Sequence, residues 1–184
     1  MTGDASRPPP SELARPVSLR QITGRPYEIE ANEAERAALA RRFAIVAISR
    51  LVAGVTLDRQ GERVAVQGTL TADILQPCAV SGEEFPVHIE EQIALRFVPE
   101  GSIHPSLQEG DEIEIELDEG DLDEIEYAGD TFDLGEAIAQ TLALGIDPYA
   151  EGPNADAVRE QAGIKTDDAP SGPLAEALAG LKKD

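Results

Sequence analysis

The sequence predicts an α+β fold in which an antiparallel, strongly twisted β-sheet of about five to six strands packs against two main helices. Three observations lead to this expectation. Apolar and polar residues alternate, imperfectly, from Leu51 to Phe97, as in strands with one wet face. A capped apolar stripe of helical period covers residues 133–145. Acidic and aliphatic residues alternate from Asp111 to Leu117, which is an edge-strand pattern.

The N-terminal part contains short elements. Residues 1–15 are rich in Pro, Ser and charge, and we expect them to be disordered. Val17–Ile22 and Tyr27–Ile29 are short strand candidates, separated by Gly24 and Pro26.

A first helix is predicted over Glu33–Arg42, where good helix formers are concentrated. Asn32 offers an N-cap, and Glu35 follows three residues later. Because Leu39 and Phe43 share one face, this helix is expected to pack on the sheet.

The centre of the chain predicts three strands in an antiparallel meander. The first ends at Leu57, and the connection Asp58–Gly61 joins it to the second as a hairpin. The second strand stops at Pro77, and a further turn follows at Ser81–Glu84. The third strand places its aliphatic residues on one face, interrupted by Glu91.

The segment from Glu109 to Asp130, here called the acidic strip, contains twelve carboxylates. Asp111–Leu117 is predicted to be an edge strand, and Leu122–Tyr127 is predicted to continue it. Two interpretations remain open. The strip is either a solvated edge and loop, or a docking surface for a basic partner.

The most clearly defined element is a helix that follows the acidic strip. Asp133 is its predicted N-cap, and Glu136 completes a capping-box-like pair. Gly145 ends the pattern, because glycine tolerates the left-handed conformation common at helix ends. The apolar stripe consists of Leu134, Ile138 and Leu142. We expect this helix to cover the sheet.

The C-terminal part is expected to be loosely attached. A weak helix is predicted over Ala155–Ala162, and a short amphipathic one over Pro173–Lys182. The second could dock into a groove of this protein or a partner, or could be a frayed tail. The predicted organisation is a disordered segment 1–15, an α+β core domain 16–152 and an acidic, helical tail 153–184.

The charge of the chain restricts its partners. The formal net charge is −21, and no Lys or Arg lies between Phe97 and Val158, where half of the 36 acidic residues fall. Direct binding to a phosphate backbone needs a basic face, so tight nucleic-acid binding is not expected. A surface of this kind attracts basic proteins, although acidity can also serve solubility alone.

Composition also indicates the compartment. The single cysteine, Cys78, excludes an internal disulfide and suggests a reducing environment. No apolar run approaches the length of a membrane helix, and the N-terminus lacks the apolar region of a secretory signal. The sequence therefore predicts a cytoplasmic protein without membrane contacts.

Residues with catalytic or ligating chemistry are sparse. Cys78 is a weak metal candidate, because His88 and His104 would complete at most three zinc ligands without a usual spacing. The acidic strip does not fit a calcium loop, and no phosphate-binding loop or catalytic triad is recognisable. No catalytic residue, metal or cofactor is therefore predicted. The alternatives are a carboxylate- and metal-dependent hydrolase or nuclease, or a Cys-dependent zinc or redox module.

Several segments together resemble the YceD family, whose members are called large ribosomal RNA subunit accumulation proteins. The segments are Gly68–Cys78, Ile93–Val98, Asp133–Leu144, Asp147–Tyr149 and Pro173–Lys182. The resemblance covers roughly residues 17–184 in order. It implies a non-enzymatic factor that supports accumulation of 23S ribosomal RNA.

One motif of that family is incomplete in this chain. Many members carry a CxRC pair where this sequence has Cys78 and Ser81, with Val80 in place of Arg. A metal or redox role of the pair does not carry over with only its first cysteine present.

Combined with the charge, the resemblance predicts contacts with basic ribosomal or rRNA-processing proteins. The partner-binding residues are expected to be carboxylates of the acidic strip and the leucines of the C-terminal helix. They are Glu109, Asp111, Glu112, Glu114, Glu116, Asp118, Glu119, Asp121, Asp123, Glu124, Glu126, Leu174, Leu178 and Leu181.

Overall fold

The computed structural model describes residues 11–102 and 123–164. Its elements in chain order are β1 (Pro16–Ser18), a 3-10 helix (Leu19–Gln21), β2 (Tyr27–Glu30), α1 (Glu33–Arg42), β3 (Ala47–Gln60), β4 (Arg63–Pro77), β5 (Glu84–Pro99), β6 (Asp123–Tyr127), β7 (Thr131–Asp133), α2 (Leu134–Gly145) and α3 (Ala155–Gln161). This arrangement confirms the predicted α+β class. The strand predicted over Asp111–Leu117 and the helix predicted over Pro173–Lys182 lie outside the described residues.

Five strands form one sheet in the order β2-β3-β4-β5-β6. The β2–β3 and β3–β4 pairs are antiparallel, but β6 runs parallel to β5, with Leu95 opposite Asp123. The sheet is thus mostly antiparallel rather than wholly so. Parallel neighbours require a crossover of about a dozen residues or more, and the chain between Pro99 and Asp123 is long enough to provide one.

Two local predictions differ from the structure. The hairpin turn is shorter than expected, because β3 and β4 pair up to Gln60 and Arg63 and leave two residues in the turn. Gly61 there has a φ of 66°, a value that glycine adopts without strain. Val17–Ile22 is not one strand, because the Ser18 hydroxyl accepts from the Arg20 amide at 3.5 Å and begins the 3-10 helix.

The core lies on one face of the five-stranded sheet. Strand residues such as Leu51 and Val64 are at most 1% exposed, as are Leu39 of α1 and the predicted stripe of α2. In the separate β1–β7 pair, Val17 lies opposite Phe132, and the Phe132 ring stacks on Phe97 with centroids 4.1 Å apart. Leu13 also belongs to this core and is fully buried, although it lies in the stretch expected to be disordered.

The predicted helix caps are largely confirmed. Asn32 and Glu35 form a reciprocal capping box, with side chain-to-amide distances of 3.0 and 2.8 Å. The Asp133 Oδ1 atom accepts from the amides of Gly135 and Glu136 at 3.0 and 3.2 Å. The capping-box role of Glu136 is wrong, because its carboxylate instead forms a bidentate ion pair with Arg42, at 2.7 and 3.0 Å.

Gly145 ends α2 for a reason other than the one expected. Its φ is not positive, so the left-handed conformation is not what requires glycine here. An ideal Cβ at this position would lie 2.9 Å from Glu91 Cγ and 3.1 Å from Ile89 Cγ2. The glycine therefore permits close approach of α2 to β5.

Residues 77–85 and 148–164 belong to a second compact unit, which contains α3. The Ala79 amide donates to the Ala150 carbonyl at 3.0 Å, and the Asn154 side chain donates to Glu83 at 2.7 Å. Within this unit, α3 begins and ends close to the predicted positions. The predicted boundaries at residues 15 and 152 remain predictions.

Candidate protein-binding site

Among the strands that the structure describes, β6, in the C-terminal part of the acidic strip, is the last in the order of the five-stranded sheet. Asp123 and Glu126 are exposed on this strand, and Glu124 is half-buried. These three are the predicted site residues that the structure describes. The others lie outside it, namely Glu109, Asp111, Glu112, Glu114, Glu116, Asp118, Glu119, Asp121, Leu174, Leu178 and Leu181.

The three carboxylates of β6 have different surroundings. Glu124 forms an ion pair with Arg96 at 3.2 Å, and Glu126 accepts the Gly101 amide at 2.9 Å. Asp123 pairs with β5 through its backbone, and its carboxylate has no hydrogen bond or ion pair with another described residue. Glu124 and Glu126 therefore help to hold β6 in place, whereas the Asp123 carboxylate makes no such contact within the described residues.

Tyr127 anchors the end of β6. Its hydroxyl donates to the Glu62 carbonyl at 2.6 Å, and its ring meets Phe132 edge-on with centroids 6.0 Å apart. Burial raises the pKa of this hydroxyl, and the charge of Glu62 adds to the increase. Tyr127 therefore remains neutral and serves as a structural anchor.

A groove that the sequence analysis missed lies between the C-terminal end of α2 and β5. It has a volume of about 220 Å³ and is lined by Glu91, Asp123, Thr141, Leu144 and Gly145, among others. Glu91 gave the only sequence signal, since it breaks the apolar alternation of its strand. Sequence reasoning did not connect it to Asp123, because only the parallel pairing of β6 with β5 places both residues beside one helix end.

Cys78 lies in a tight turn and is 3% exposed. Its sulfur accepts from the amides of Val80 and Ser81, both at 3.4 Å. A hydrogen bond from the Ser81 side chain, assisted by backbone amides of Ser81, Gly152 and Val80, lowers the pKa of the thiol to about 7. These groups stabilise a thiolate. Ser81, which stands where many family members have the second cysteine of the CxRC pair, supplies part of that stabilisation.

The histidines do not form a metal or catalytic set with this thiol in the described chain. His88 Nδ1 lies 2.6 Å from Asp73 Oδ1 on the exposed face of the sheet, and His104 lies outside the described residues. Within residues 11–102 and 123–164, no three His, Cys, Asp or Glu side chains are grouped as metal ligands would be.

None of the helices within residues 11–102 and 123–164 has the length and apolar character needed to cross a bilayer. The exposed carboxylates of β6 can form ion pairs with cationic groups.

Comparisons with known proteins support the resemblance found in the sequence. A family model described as "Large ribosomal RNA subunit accumulation protein YceD" matches residues 66–182, which is more than half of the chain. The matched region includes β5, β6 and α2, and therefore the groove. Comparisons with curated proteins and with solved structures gave no match.

Proposed function

Because this chain belongs to the YceD family of large ribosomal RNA subunit accumulation proteins, we propose that it is a cytoplasmic, non-catalytic factor in large-subunit ribosome biogenesis. It supports accumulation of 23S rRNA by binding basic ribosomal or rRNA-processing proteins. Holding such proteins before or during assembly would protect them from non-specific contacts with nucleic acid.

One observation carries this proposal, and it is the uneven distribution of charge. The stretch between Phe97 and Val158 lacks Lys and Arg but contains half of the acidic residues. The part of it that forms β6 is the last of the described strands in the sheet, and the Asp123 carboxylate has no partner among the described residues. Exposed carboxylates steer cationic proteins and disfavour phosphate backbones.

The test is a binding measurement with purified large-subunit ribosomal proteins at about 0.05 M and about 0.5 M salt. The Debye length falls from roughly 13 Å to roughly 4 Å between these conditions, so affinity for a basic partner should fall steeply. Neutralising Glu112, Glu114 and Glu116 to glutamine should weaken binding about tenfold at low salt, since each exposed pair contributes roughly 0.5 kcal/mol.

A control variant distinguishes the effect of the acidic strip on binding from the effect of the chain's net charge. Replacing the exposed Glu28, Glu30 and Glu33 by glutamine changes the net charge by the same amount, in and next to β2, which lies at the opposite end of the strand order from β6. It should alter affinity less than about twofold, because the effect of a distant charge is screened. Equal losses in both triple variants, or tight binding of naked rRNA at ordinary salt, would contradict the proposal.

A further inference from the structure

The groove at the end of α2 has an exposed apolar side chain beside it, on the helix face opposite the buried stripe. Leu144 is 85% exposed, whereas Leu142, two positions earlier, is fully buried. For comparison, Val46, which immediately precedes β3, is 44% exposed. An aliphatic surface beside a groove of about 220 Å³ provides room for one side chain of a partner.

The groove also carries negative charge. Glu91 and Asp123 line it, no basic residue does, and neither carboxylate has a partner among the described residues. An ideal Cβ on Gly145 would lie 3.1 Å from Glu91 Oε1, so the carboxylate lies directly against the end of the helix. The helix has no basic residue in its last turn, and its terminal carbonyl groups add partial negative charge.

We propose that this groove binds one lysine or arginine side chain of a basic partner protein. The aliphatic stem would lie on Leu144, and the cationic end would reach Glu91, Asp123 and the last carbonyl groups of α2. The inference rests on the proposed function, and it identifies an anchor point for the partner next to the acidic strip. Lysine and arginine combine an apolar stem with a cationic end, as the groove combines an apolar wall with carboxylates.

Two features favour a basic side chain over the other occupants. A purely apolar side chain would leave Glu91 and Asp123 without a partner at a contact that excludes water. An acidic segment would be repelled by every charged group that lines the groove. Charge complementarity therefore selects the cationic side chain.

The experiment combines two readouts on the full-length chain. The first is the affinity of the variants Glu91→Gln and Leu144→Ala for purified large-subunit ribosomal proteins. The second is an NMR titration with the peptide acetyl-Arg-Leu-Arg-amide, with the amide signals of Thr141, Leu144 and Gly145 as reporters. We expect each variant to lose about tenfold in protein affinity, and Glu91→Gln to abolish the peptide-induced shifts.

Matched variants control for charge and apolar area. Glu90→Gln removes the same charge one residue away, from an exposed position on the opposite face of β5. Val46→Ala shortens an exposed aliphatic side chain outside the groove, immediately before β3. Both should retain wild-type affinity within about twofold.

The outcomes distinguish the inference from the proposed function. If basic proteins bind but Glu91→Gln behaves like Glu90→Gln, the groove is overturned and the proposed function stands. If the peptide shifts the reporter signals but no ribosomal protein binds, the groove is supported and the proposed function fails. Tighter peptide binding after Lys165, Lys182 and Lys183 are changed to glutamine would assign the groove to the chain's own C-terminal segment and overturn a partner site.

Discussion

Replacing Glu91 by glutamine is expected to stabilise the fold, although it should weaken partner binding. The carboxylate of Glu91 lies against the C-terminal end of α2, where Oε1 would be 3.1 Å from a Cβ on Gly145. Helix C-termini carry about half a negative charge, so an acidic group there is unfavourable. Glutamine has nearly the same shape and removes the repulsion.

The size of the effect follows from Coulomb's law. A unit charge and a half charge separated by roughly 5 Å interact with about 0.4 kcal/mol at a dielectric constant near 80, and about 1.7 kcal/mol near 20. Glu91 is half-buried, so solvent screens part of the interaction. We therefore expect Glu91→Gln to raise the free energy of unfolding by about 0.5 kcal/mol at low salt.

Urea denaturation at low and high salt, followed by circular dichroism, measures this gain. The matched variant Glu90→Gln should change stability by less than about 0.3 kcal/mol, because Glu90 is exposed on the opposite face of the strand. The gain of Glu91→Gln should shrink at high salt. If Glu91→Gln destabilised the chain, or if both variants gave equal gains, the placement of this carboxylate against the helix end would be wrong.

Three further predictions concern other parts of the chain. The hydrogen bond from Arg15 holds the pKa of Glu35 below its ordinary 4.5. The ion pair therefore stabilises the fold above pH 4.5, and this stabilisation is lost as the pH falls through the lowered pKa. Glu35→Gln should lower the free energy of unfolding by up to about 1 kcal/mol near neutral pH and by less in acid. Ultraviolet titration of the Cys78 thiolate should give a midpoint near 7, and Ser81→Ala should raise it towards 9.0. Gly135→Ala should destabilise the chain by about 3 kcal/mol, because its Cβ would lie 1.6 Å from the Leu13 carbonyl oxygen.

Each of these predictions has an internal control. Glu28→Gln, at an exposed position of β2, should leave the acid side of the stability profile unchanged. Ser49→Ala removes a hydroxyl that donates to the Asp73 carbonyl and should not move the thiol midpoint. Gly54→Ala places its Cβ where no atom lies within 4 Å, and it should cost less than about 1 kcal/mol. A similar loss in Gly54→Ala and Gly135→Ala would contradict the packing of the N-terminal segment on α2.

The caps show how far sequence reasoning reached. Asn32 with Glu35, and Asp133 with the amides after it, interact across three residues or fewer, and both caps were predicted. Glu136 fits the same local pattern but binds Arg42, which is 94 residues away in sequence. A guanidinium that can form two hydrogen bonds outcompetes a single amide, and sequence spacing alone contains no sign of that encounter.

The sequence by itself determined the three long strands β3 to β5, the two main helices, the face of α2 that is buried and the excess of negative charge. These features depend on the period of apolar residues and on contacts between near neighbours, which the order of residues states directly. Tertiary structure alone decided that β6 runs parallel to β5, that Gly145 is needed for the approach of Glu91, and that Leu144 faces a groove with two carboxylates. The physical reason is that these arrangements depend on contacts between segments far apart in the sequence. Whether such contacts form depends on the cost of closing the loop between the segments and on the packing of the whole chain.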